Sequence, residues 1–123
     1  METNYKNLIV WQKSMELCKQ VYLLTQELPK EELYGLTSQI RRSVISIPSN
    51  IAEGHTRNNP KEFAQFLFIS KGSAAELETQ IILAGSLYAL NIEKIQTIEA
   101  LLLEVLKMLS ALIKATKEKI SKG

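Results

Sequence analysis

LTSQIRRSVISIPSNIAEGHTRNNPKEFAQFLFISKGSAAELETQI, residues 36–81, holds two helix patterns and the turn between them. In the first, Leu36, Ile40, Val44, Ile47 and Ile51 fall on one narrow stripe, which predicts a helix from about Glu32 or Tyr34 to Glu53 with Gly54 as a left-handed stop. Pro48 lies inside that pattern, where it removes one backbone hydrogen bond and presses on the carbonyl four residues back, at a cost of about 3 kcal/mol. Because the stripe keeps its phase across Pro48, a kink is expected, with a break and restart as the alternative.

The turn HTRNN leads into the plainest helix start in the chain, with Asn59 as N-cap, Pro60 in the first position and Glu62 in the third, suited to reciprocal capping. No proline follows, so this helix is expected to reach about Leu90, with Phe63, Phe66, Leu77, Ile81, Ala84 and Tyr88 facing the core. Gly72 and Ser73 sit mid-helix, where glycine costs about 1 kcal/mol relative to alanine; their small size predicts that another backbone comes close.

Working outward, Asn7 is the expected cap of a first helix built on Trp11, Met15, Cys18 and Tyr22 beside Val10, Leu17, Val21, Leu24 and Leu28, ending before Pro29. After residue 90, Asn91 is expected to close one helix and open the next, which runs through Ile95, Ile98, Leu102, Val105, Leu109, Leu112 and Ile113 to a lysine-rich end. Short links predict an all-α, up-down-up-down antiparallel four-helix bundle, one domain over residues 1–123.

Composition agrees with a folded domain, 46% apolar and 23% charged, with a net charge of only +2. One cysteine excludes an internal disulfide, and no run of about 18 apolar residues spans a membrane, so a reducing, cytoplasmic setting is expected, with Cys18 packed in the core. No cofactor or metal is expected: a carboxylate bundle site needs Glu-x-x-His pairs, and His55 stands alone in what reads as a solvated turn. Enzyme activity is therefore not expected.

Two features remain. Phe68, Ala75, Ile82 and Ala89 recur every seven residues away from the core line, which predicts a homo-oligomer interface, the alternative being an irregular bundle that buries them. The second feature is polar. Arg41, Arg42, Asn50, Glu53, Ser73, Glu76 and Glu78 read as an interhelical or intersubunit network, with the arginines paired to Glu76 and Glu78. The functional alternative is phosphate recognition by Arg41, Arg42, Arg57, Lys61, Lys114 and Lys117.

WQKSMELC, LTSQIRRSVISIPSNIAEG and KEFAQFLFISKGSAAELETQIILA resemble the 23S ribosomal RNA intervening-sequence protein family, from Trp11 to about Leu90. The resemblance implies a homopentameric bundle and a relationship to the accessory protein of diversity-generating retroelements, with Arg41, Arg42, Pro48, Asn50, Glu53, Gly54, Arg57, Ser73, Glu76 and Glu78 as the matching motif positions. The expected function is thus a non-enzymatic oligomeric scaffold that contacts RNA or a nucleic-acid-processing protein. A protein–protein adaptor is the rival reading, and a small-molecule binder or enzyme at a subunit interface is the third.

Overall fold

The computed structural model describes residues 4–122 and contains four long helices and, among the described residues, no strand: α1 Ile9–Thr25, α2 Leu36–Thr56, α3 Pro60–Leu87 and α4 Ile92–Lys122. Short 3-10 helices at Tyr5–Asn7 and Lys30–Glu32 precede α1 and α2. Each long helix packs on two others, α1 on α2 and α4, α3 on α2 and α4, and the backbones of the diagonal pairs stay apart. Leu17, Val21, Ile40, Ile47, Leu67, Leu77, Ile98, Leu102 and Leu109, drawn from all four, are sealed from solvent in one core. No described helix is long and apolar enough to cross a membrane.

The register of these contacts can be followed along the chain. Thr25 meets Arg41 and Cys18 meets Val44; Ile47 meets Ser70 and Ser43 meets Gln80; Phe68 meets Lys117 and Gly85 meets Ile95. In these three pairs of successive helices, numbers rise on one as they fall on the other.

α2 passes through Pro48 without a break. Its carbonyl four residues upstream, on Val44, has no amide to accept from, and the Cys18 thiol of α1 donates to it at 3.3 Å. Cys18 is therefore a hydrogen-bond donor as well as half-buried packing. Burial pushes its thiol up to about 11, which keeps the donating proton in place near neutral pH.

Several expected boundaries move. α1 starts with Leu8 in the cap position and no side-chain cap, because Asn7 is taken into a 3-10 helix whose own cap is Asn4, accepting from the Lys6 amide at 2.9 Å. It ends at Thr25, where bonds of Glu27 to Leu24 and Leu28 to Thr25 tighten the last turn, though Leu28 still reaches the core. Gly54 is not a left-handed stop. It lies inside α2, and a Cβ there would sit 2.5 Å from the Cβ of Phe66, so the glycine is required by the approach of α3. The left-handed residue is Asn58, at φ 53°.

Asn59 caps α3 as expected, accepting from the Glu62 amide at 3.0 Å, while the Glu62 carboxylate turns toward Arg57 instead of back to the cap. α3 ends at Leu87, leaving Tyr88, Ala89 and Leu90 in the link. Its buried line is Ala64, Leu67, Ser70, Ala74, Leu77, Ile81 and Ala84, with Phe63 and Phe66 only half-buried at its edge. Asn91 opens α4 by accepting from the Lys94 amide, and its own amide donates to Glu27. Gly72 has nothing within 4 Å of the place where a Cβ would be, so no backbone of this chain approaches it.

Candidate functional site

Two flanks of α3 carry the residues of interest. Toward α2 the contact is a seam of small polar side chains. The Ser70 hydroxyl donates to the Ile47 carbonyl at 2.9 Å, Ser46 and Ser73 share a 2.8 Å hydrogen bond, and the Asn50 amide donates to both the carbonyl and hydroxyl of Ser46. Ser43 Oγ lies 2.8 Å from Gln80 Oε1, 3.1 Å from Glu76 and 3.0 Å from the Gln39 carbonyl. One hydroxyl proton serves one of these at a time, and turning the Gln80 amide lets its nitrogen donate to the serine. No buried side-chain nitrogen or oxygen among the described residues is left without a partner.

Of the residues expected to form a polar network, Asn50 and Ser73 meet through Ser46 and Glu76 meets Ser43, while the expected arginine–glutamate pairs are not formed among the described residues. Arg41 lies on the α1 side of α2, where its Nε donates to Thr25 at 2.9 Å and its guanidinium stacks 4.4 Å from the centre of the Tyr22 ring. Among the described residues neither Arg41, Arg42, Glu76 nor Glu78 is in an ion pair. Glu53 pairs locally with Arg57 at 3.2 Å, one turn along the same helix.

The six candidate phosphate-binding residues do not converge on one site. Arg57 is neutralised between Glu53 and Glu62 and rests against Phe66, and Lys61 and Arg42 are exposed on separate stretches. Lys114 and Lys117 are brought together, in a groove of about 530 Å³ between α3 and α4 that Phe68, Lys71, Ser110, Glu118 and Lys122 also line. Lys71 was not among the expected residues. No signal in the sequence pairs it with Lys114: the register between α3 and α4, seen in the contact of Phe68 with Lys117, sets the two lysines on one groove.

His55 is not a free turn residue. It lies in the last turn of α2, half-buried and edge-on to Phe63, on the wall of a cavity of about 610 Å³ shared with Tyr5, Asn58, Asn59 and Lys119. At the opposite end the links are tied together. The Tyr88 hydroxyl donates a short hydrogen bond to Glu32, whose other oxygen accepts from the Leu36 amide, and Lys94 bridges to Glu27 at 2.8 Å. These bonds hold both carboxyls below the ordinary carboxylate range, Glu32 chiefly through Tyr88 and Glu27 chiefly through Lys94, while Glu32 raises the Tyr88 phenol.

Of the expected oligomer residues, Phe68 is 46% exposed and Ile82 63%, Ala75 is exposed on the same flank, and Ala89 is exposed in the link beyond the helix. Ile69, Leu83 and Leu87 add further exposed apolar surface to α3.

Four helices around one core, with no metal-binding cluster of His, Cys, Asp or Glu among the described residues, define an all-α four-helix protein. The model of the 23S rRNA-intervening sequence protein family matches residues 6–111, and the chain belongs to that family. It is similar in structure to a protein with unknown function from the S23 ribosomal protein family of Bacteroides thetaiotaomicron VPI-5482, at 26% identity and a TM-score of 0.78, over 86% of this chain and 99% of the other. No curated protein matches it.

Proposed function

We propose that this chain is a non-catalytic scaffold: an up-down-up-down antiparallel bundle whose copies associate along the outer side of α3 and whose lysines meet RNA. The antiparallel arrangement is supported by the opposed numbering of the contacts between successive helices. Five copies is the number implied by the family resemblance. The lone free cysteine, Cys18, supports a reducing cytoplasmic setting, and its half-buried, protonated thiol makes a poor nucleophile.

The observation that carries the association is Gly72. A glycine in the middle of a 28-residue helix costs about 1 kcal/mol relative to alanine, and no group of its own chain uses the space it leaves. Exposed Ile69 and Ala75 lie one turn to either side of it, and exposed Ile82 and Leu83 extend the apolar surface further along α3, of the kind that a second helix covers. Light scattering at micromolar concentration is expected to give a multiple of the 13.9 kDa chain mass, falling to a single chain in Ile82→Glu with helical content kept. A wild-type mass of one chain overturns the association.

A further inference from the structure

We infer, resting on the RNA half of that reading and assigning Phe68 to RNA instead of to the contact between copies, that the groove between α3 and α4 is a seat for single-stranded nucleic acid, with lysines on the phosphates and Phe68 beneath a base. The charge is concentrated there. Four lysines, Lys71, Lys114, Lys117 and Lys122, line the groove against one carboxylate, Glu118, so its net +3 exceeds the +2 of the whole chain. Among the described residues none of the four lysines is in an ion pair, whereas Lys13, Arg57 and Lys94 are. A near-neutral protein thus carries a strongly basic locus, and local potential rather than total charge governs capture of a polyanion.

The groove also has an aromatic residue. Phe68 is 46% exposed, with the Lys117 ammonium 4.8 Å from its ring centre. The Lys117 ammonium lies over the ring, so a base stacks there as that lysine turns to a phosphate; an exposed phenyl ring inside a lysine-lined track is the combination that single strands use. A duplex keeps its base faces stacked on one another and has none to offer the ring, and an acidic peptide supplies charge without a flat partner. The chemistry of the groove therefore favours an unpaired strand.

The test uses the full chain and a dye-labelled oligouridine RNA of about 16 nucleotides, followed by anisotropy across a salt series. Four phosphate contacts give a slope of log affinity on log salt of about −3. Lys114→Glu/Lys117→Glu is expected to weaken binding at least tenfold and to make the slope shallower by about 1.5, while the charge-matched Lys13→Glu/Lys19→Glu leaves affinity within about twofold. Phe68→Leu is expected to weaken the single strand about tenfold and to leave the slope unchanged. Photocrosslinking of 4-thiouridine RNA to the unaltered protein, expected at the peptide containing Phe68, reads the same contact with no variant involved.

Absence of RNA retention at low salt overturns the assignment, as does equal sensitivity to the two double variants. Polyglutamate competing as well as RNA makes the groove a site for acidic protein. A duplex of equal length binding as tightly, with Phe68→Leu without effect, removes the single-strand seat. Light scattering on the same samples separates this from assembly: a single chain that still binds RNA keeps the groove and sinks the oligomer, and an oligomer that ignores RNA does the reverse.

Discussion

The two flanks of α3 differ in how completely this chain satisfies them. On the α2 side, small residues let the backbones close in, Phe66 occupies the space left by Gly54, and each serine of the seam finds a partner. On the side away from α2, Gly72 faces open space, Ile82 is mostly exposed, and four lysines gather around a single carboxylate. Glycine appears on both flanks, yet only one of the two is explained from within. The difference teaches that a residue costly to its own helix, and unused by its own fold, points outward.

The sharpest way to break this contrast is Gly54→Val. Its added carbons meet the Phe66 Cβ, which cannot swing away, so the seam has to open; urea denaturation is expected to show a loss of about 3 kcal/mol. A loss below about 0.5 kcal/mol would mean that α2 and α3 can separate at no expense. Next in size is Cys18→Ala, which leaves the Val44 carbonyl without a donor and is expected to destabilise by about 1–2 kcal/mol, with Cys18→Ser recovering most of it. In Pro48→Ala the alanine variant at 18 is expected to cost less, because the restored amide takes over the carbonyl, a coupling that a double-mutant cycle measures.

Gly72→Ala sharpens the other flank. Helix propensity alone raises the stability of the isolated chain by up to about 1 kcal/mol, while the methyl group intrudes where a neighbouring copy packs, so the melting temperature at low concentration is expected to rise as the association weakens. An effect on neither quantity removes the glycine argument.

The smallest effect is expected in pH. Glu27 and Glu32 sit below their ordinary 4.5 in the folded state, so their contribution is whole above about pH 4.5 and is lost as pH falls through the lowered folded values. Tyr88 sits above its ordinary 10.0, so its contribution is whole below that value and fades as pH rises through the raised one. Melting temperatures of Glu32→Gln and Tyr88→Phe are expected to show shallower acid and alkaline falls respectively; unchanged profiles rule out the bond between the two links.

Four helices, the Asn59–Pro60 start and the stripe from Leu36 to Ile51 were legible in the sequence because local periodicity and caps alone specify them. Gly54 was misread for a physical reason: a glycine near a helix end looks the same whether it is needed for a left-handed turn or for a close neighbour, and only the position of Phe66 decides. Phe63 and Phe66 were placed too deep because aromatic size outweighed the short side chains of Ala64, Ser70 and Ala74, which allow α2 to lie against α3. The arginine–glutamate pairs failed because neighbours on a helical wheel can face different helices, and Arg41 faces α1. Lysines 71 and 114 are 43 positions apart, and only the register between α3 and α4 makes them neighbours.

The thiol on the Val44 carbonyl ties two distant letters of the sequence into one decision. A proline within a helix leaves an oxygen unserved, and here the remedy comes from a different helix, by way of a sulfur atom. Among homologues, sequences lacking a proline at position 48 are free to lose cysteine at position 18, and those that keep the ring are expected to retain a proton donor there, be it sulfur or oxygen.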